Sequence, residues 1–82
     1  MILDIRQGHA TERMTERKIS RQDIENAIRN HRQVVNDPSK PSVTYIGPGV
    51  NGRTLKVFTL PPGYVNEQTP VIIKSAAWKG TP

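Results

Sequence analysis

At 82 residues the chain is the length of one small domain, and a core of that size leaves little margin of stability. It has no cysteine, which rules out disulfides and thiolate metal sites, and twelve Lys and Arg against seven Asp and Glu leave a net charge of +5. That balance favours a polyanionic or acidic partner, and no apolar run approaches the roughly 20 residues of a membrane span.

Residues 1–7 read as an extended lead-in with apolar Ile2, Leu3 and Ile5, interrupted by Asp4 and Arg6 and ending at Gly8. Without an apolar central stretch it is not expected to act as a signal peptide. A helix is predicted from His9 to Lys18. Its apolar face is narrow: Ala10, Met14 and Arg17 fall within about 60° of one another on a helical wheel.

Ser20 opens a second helix. Ser20-x-x-Asp23 is a capping-box pattern, and Ile24, Ala27 and Ile28 form the stripe that packs against a core. Arg29, His31 and Arg32 lie toward its end, where cations complement the helix dipole.

The stretch from Asn36 to Ser42, with Pro38 and Pro41, reads as a loop. Val43–Ile46 is predicted as a strand, residues 47–52 as a turn closed by Asn51-Gly52, and Leu55–Leu60 as the returning strand. In that strand Thr54, Lys56 and Phe58 share one face, while Arg53, Leu55, Val57 and Thr59 share the other. Pro61-Pro62-Gly63 forces a reversal, and Val71–Ala76 is the third strand. The expectation is a single α+β domain over residues 1–82, with two N-terminal helices packed on a small antiparallel sheet of three to four strands.

His9, Arg13 and Arg17 are spaced by four, so each is about 40° from the next and they form one ridge. An imidazole beside guanidiniums suits RNA cleavage without a metal: one group takes the 2′-hydroxyl proton, one protonates the leaving 5′-oxygen, and cations stabilise the phosphorane. The competing reading is that such arginines cover apolar surface with their stems. Arg53 and Lys56 could approach a phosphate from the sheet, or be solvated charges at a hairpin. In the last cluster Lys74, Ser75 and Lys79 could contact phosphate, and Trp78 could stack on a base, although a lone tryptophan in so small a protein more often fills the core. The carboxylates are scattered and show no ligand spacing, so neither metal nor cofactor is expected.

His9-Ala10-x-x-Arg13-Met14-x-x-Arg17-x-Ile19, the capped helix after it and Gly52-Arg53-x-Leu55-x-Val57 resemble a family of small bacterial domains. Its architecture is similar to the barnase–EndoU–colicin–RelE group of toxin ribonucleases, which occur free or as C-terminal parts of contact-dependent inhibition toxins. The resemblance implies an endoribonuclease acting on RNA, tRNA or mRNA, in the bacterial cytoplasm. It also implies a cognate, acidic immunity or antitoxin protein in a one-to-one complex. His9, Arg13, Arg53, Ser75 and Lys79 would then be catalytic, with Arg17, Lys56, Lys74 and Trp78 binding RNA; Tyr45 and Tyr64 are alternatives for a polar role. ParE-like relatives of this architecture inhibit gyrase instead, so the alternative is a non-catalytic module that grips an acidic protein through its basic face.

Overall fold

In a computed structural model that describes residues 1–80, two helices and five strands follow in the order β1 (Leu3–Ile5), α1 (His9–Arg17), α2 (Arg21–Arg29), β2 (Gln33–Asp37), β3 (Ser42–Pro48), β4 (Thr54–Thr59) and β5 (Val71–Trp78). The strands form one sheet in the order β1-β5-β4-β3-β2, with β1 parallel to β5 and every other pair antiparallel. The class is α+β as expected, but the sheet is mixed and has five strands, which corrects the antiparallel sheet of three to four. Two short edge strands account for the difference. Leu3 and Ile5 pair beside Val71 and Ile73, and Gln33–Asp37 pairs with Ser42–Ile46 where a helix tail and the start of a loop were expected.

Local chemistry sets both ends of α1 and the start of α2. The Thr11 hydroxyl accepts from the Gly8 N–H and donates to the Gly8 carbonyl, which closes the first turn of α1. Lys18 takes a left-handed conformation (φ 55°) after the last turn, and the Ile19 N–H donates to the Met14 carbonyl at 2.9 Å. α2 starts with the reciprocal capping box: Asp23 N–H donates to Ser20 Oγ (3.0 Å) and Ser20 N–H donates to Asp23 Oδ2 (2.9 Å).

The apolar face of the sheet is covered by the helices. Leu3, Val71, Ile73, Ala76, Trp78, Leu55, Val57, Val43 and Tyr45 point inward to meet Ile19, Ile24, Ala27 and Ile28. α2 lies over β3 and β4, and α1 lies against β5. The approach of α2 is close enough to require glycine: a Cβ on Gly47 would come within 2.9 Å of the His31 Cα and closer still to the Ala27 carbonyl. α2 also grips the β3–β4 hairpin, with Val50 N–H donating to Asp23 Oδ1 (2.9 Å) and Asn26 Nδ2 donating to the Pro48 carbonyl (3.0 Å).

Beyond Ile73, no strand among the described residues flanks β5 on the β1 side, and α1 serves that segment. Arg17 Nη1 donates to the Ala76 carbonyl (2.7 Å), and the Trp78 indole N–H donates to the Arg17 carbonyl (2.7 Å). The arginine on the narrow apolar face of α1 is therefore a tie between helix and strand.

Candidate active site

The face of the sheet turned away from the core carries the site. Antiparallel registers set Val35 opposite Thr44, Thr44 opposite Phe58 and Phe58 opposite Ser75. These four side chains make one row across β2, β3, β4 and β5, with neighbouring Cβ atoms about 4.5–5.5 Å apart in such pairs. The row is the floor of a hollow of about 410 Å³. His9 closes it from the first residue of α1, Lys74 from β5, Asp37 from the end of β2, Ser42 from the start of β3, and Lys40 from the turn between them.

A bulge in β5 makes this arrangement possible. Phe58 pairs with Ser75 but Thr59 pairs with Ile73, so Lys74 is an extra residue on that strand. Strict alternation from Val71 and Ile73 would turn Ser75 into the core. The bulge resets the phase, so that Lys74 and Ser75 both face the hollow while Ala76 and Trp78 turn inward. A bulge of this kind re-aims side chains, and here it delivers a cation and a hydroxyl to the same place.

The carboxylate in the hollow is already engaged. Asp37 Oδ1 accepts from the Ser39 hydroxyl (2.7 Å) and from the Ser39 N–H (2.9 Å), and these bonds, with Lys40 nearby, hold its pKa below the ordinary value. Asp37 thus braces the turn that carries Lys40. The groups that remain for an incoming molecule are an imidazole, two ammonium groups, three hydroxyls (Ser42, Thr44 and Ser75) and the apolar faces of Phe58 and Val35. A second hollow of about 400 Å³ lies between β1, α1 and the start of α2; its apolar walls are Ile5, Met14 and Ile19, its one cation is Arg21, and it holds no imidazole.

Of the residues singled out in the sequence, His9, Lys74 and Ser75 come together. Lys56 lies on the same face, two residues from Phe58 and between Ile46 and Ala77, and does not line the hollow. The others lie elsewhere. Arg13 pairs with Glu16 on the helix (3.0 Å), and Arg17 is bound to Ala76. Arg53 stacks its guanidinium over the Trp78 ring at 4.7 Å, on the helix side of the sheet. Trp78 is 6 % exposed and belongs to the core. Lys79 is exposed past the end of β5, where its N–H donates to the Thr54 carbonyl. Tyr45 is buried and its hydroxyl accepts the Tyr64 N–H (2.8 Å), while the Tyr64 hydroxyl donates to Glu67 (2.9 Å). His31 Nδ1 meets the Ile28 carbonyl at 2.7 Å and its ring meets Tyr45 edge-on, a role at the end of α2.

Sequence reasoning missed Thr44, Phe58, Lys40, Ser42, Val35 and Asp37. One signal was present: Phe58 shares a strand face with Thr54 and Lys56, an aromatic ring on the polar side of an alternating strand. The rest depended on β2 being a strand at all.

No curated protein and no solved structure matches the chain. A family model described as a domain of unknown function (DUF4258) matches residues 7–76, from the residue before Gly8 to Ala76 in β5, and so takes in every side chain that lines the hollow. The chain belongs to the DUF4258 family.

Proposed function

We propose that this domain is a metal-independent endoribonuclease of the bacterial toxin type, with the hollow on the outer sheet face as its active site. The observation that carries the reading is the convergence of His9, Lys74 and Ser75 with Lys40 around one hollow on a chain of net charge +5. The resemblance of the His9–Ile19 motif to a family of small bacterial domains, similar in architecture to toxin ribonucleases, supports it.

In the proposed reaction the 2′-oxygen of one ribose attacks the adjacent phosphorus and the P–O5′ bond breaks. The 2′-hydroxyl proton goes to a base, the departing 5′-oxygen receives a proton from an acid, and the products end in a 2′,3′-cyclic phosphate and a 5′-hydroxyl. His9 performs one of these transfers. Lys74 and Lys40 stabilise the charge that builds on the phosphorane, and the Ser75 hydroxyl donates to a phosphate oxygen. These lysines take the phosphate role that the sequence suggested for Arg13 and Arg53, since neither of those guanidiniums lines the hollow. The domain acts on RNA in the bacterial cytoplasm, alone or as the delivered end of a larger toxin. An acidic immunity or antitoxin protein that covers the rim of the hollow restrains it.

Purified protein incubated with total RNA is expected to yield discrete fragments with cyclic-phosphate ends, with chelator or without it. His9→Ala is expected to reduce the rate by about 10²–10⁴-fold, the usual contribution of a positioned acid or base. RNA left intact at high protein concentration would reject the enzyme and leave the non-catalytic alternative. His9 is exposed at a helix start, so its loss should not unfold the chain.

A further inference from the structure

Phe58 is the one phenylalanine of the chain, and it sits on the central strand of the sheet with its side chain on the face that the core does not use. A half-buried ring there serves no packing between sheet and helices. Its cross-strand neighbours are Thr44 and Ser75, and Val35 continues the row. Apolar ring, flanking hydroxyls and rim cations occupy one hollow of about 410 Å³. That volume falls in the range of about 300–1,000 Å³ typical of sites for one small molecule.

We infer that the hollow receives a single unpaired nucleotide, its base stacked on Phe58 and its flanking phosphates on Lys40 and Lys74, so that the substrate class is single-stranded or looped RNA and not duplex. The inference rests on the ribonuclease reading for its catalytic arm, but the binding site itself does not. Bases in a duplex are stacked on one another and paired, so their faces are closed to a protein ring. An unpaired base offers a face that any aromatic side chain can meet and edges that hydroxyls such as those of Thr44 and Ser75 can bond. The lysines reach backbone phosphates, which position the strand without reading its sequence. The base meets the floor of the hollow, and the scissile phosphate lies at the rim beside His9.

The test has a binding arm and a cleavage arm. The binding probe is a single-stranded DNA oligonucleotide, which lacks the attacking 2′-hydroxyl and stays intact, titrated at fixed salt against wild type, Phe58→Leu and Phe58→Tyr. Leucine keeps an apolar side chain on the strand but has no flat face; tyrosine keeps the ring. Phe58→Leu is expected to weaken binding by about tenfold, in the range of one base–aromatic stack, while Phe58→Tyr holds it. In the cleavage arm a hairpin RNA with an unpaired loop is expected to be cut in the loop only, and a fully paired RNA to survive. Equal binding by wild type and Phe58→Leu, or cleavage of paired and unpaired RNA at the same rate, overturns the inference while leaving the ribonuclease reading intact. Ring-dependent binding with no cleavage of any RNA keeps the base site and removes the enzyme.

Discussion

The carboxylate of Asp23 joins two parts of the molecule. One oxygen takes the Ser20 N–H and hydroxyl at the start of α2, and the other takes the Val50 N–H at the tip of the β3–β4 hairpin. Burial works to raise its pKa, but the hydrogen bonds from the Ser20 and Val50 amides and the Ser20 hydroxyl outweigh it, and the net shift is downward. A carboxyl whose pKa is lower folded than unfolded stabilises the fold above its unfolded value. That contribution is lost as pH falls through 3.8, the ordinary value, toward the folded one. Asp23→Asn is therefore expected to destabilise the domain at neutral pH by about 1.5–3 kcal/mol, the worth of hydrogen bonds to a charged group. It should also flatten the acid limb of a plot of Tm against pH. Asp37 and Glu67, lowered by their bonds to Ser39 and Arg29, keep part of that limb in the variant. A Tm unchanged by Asp23→Asn at pH 7 would contradict this account. The capping half of this role was legible in Ser20-x-x-Asp23; the hairpin half was not, because it spans 27 residues.

The elements divide by how much of their stabilisation is local. α1, α2, β3, β4 and β5 each carry a pattern long enough to be read: a cap and a stripe for α2, alternation around Asn51-Gly52 for the hairpin. β1 has three residues, and its partner lies 68 positions away at Val71, so the extended character of residues 1–7 was legible but their place in the sheet was not. β2 is an outer strand whose residues are mostly exposed, so the alternation that burial would impose on Gln33–Asp37 is missing. The β5 bulge left a legible mark that periodicity alone explains: Val71 and Ile73 have one parity, Ala76 and Trp78 the other. An uninterrupted strand cannot bury all four. Deleting Lys74 should remove the extra residue, leave Ile73, Ala76 and Trp78 inward and keep Ser75 outward. The variant is expected to fold with a stability change within about 1 kcal/mol, or about 4–8 °C in Tm, while losing affinity for single-stranded nucleic acid. A chain that fails to fold after the deletion would show that β5 needs the bend as well as the phase shift.

Across the whole molecule, most arginines bind other parts of the fold, while the hollow takes its cations from lysine. Five of the seven arginines have side-chain partners within the fold: Arg13 meets Glu16, Arg17 Ala76, Arg21 the Leu3 carbonyl, Arg29 Glu25 and Glu67, and Arg53 Trp78. Planar guanidiniums with several donors suit such fixed geometry, whereas lysine is a mobile point charge. Besides the His9 imidazole, the basic side chains that line the hollow are both lysines, Lys40 and Lys74. The sequence showed the total of +5 but not this division, which depends on which face each strand residue takes. A division of this kind has a thermodynamic consequence. Each phosphate neutralised on a single strand contributes about 0.7 to the slope of log affinity against log salt, through the counterions released. Replacing Lys40 and Lys74 together by Gln should reduce that slope by about 1.4 for an uncleavable single-stranded DNA. Lys79→Gln, on an exposed cation outside the hollow, should change it much less. Equal losses from the two variants would mean that nucleic acid is held by the basic surface at large, and the hollow would then have no privileged claim on the strand. A larger loss from the Lys40 and Lys74 pair would locate the phosphates at the rim, beside the imidazole that the proposed cleavage uses.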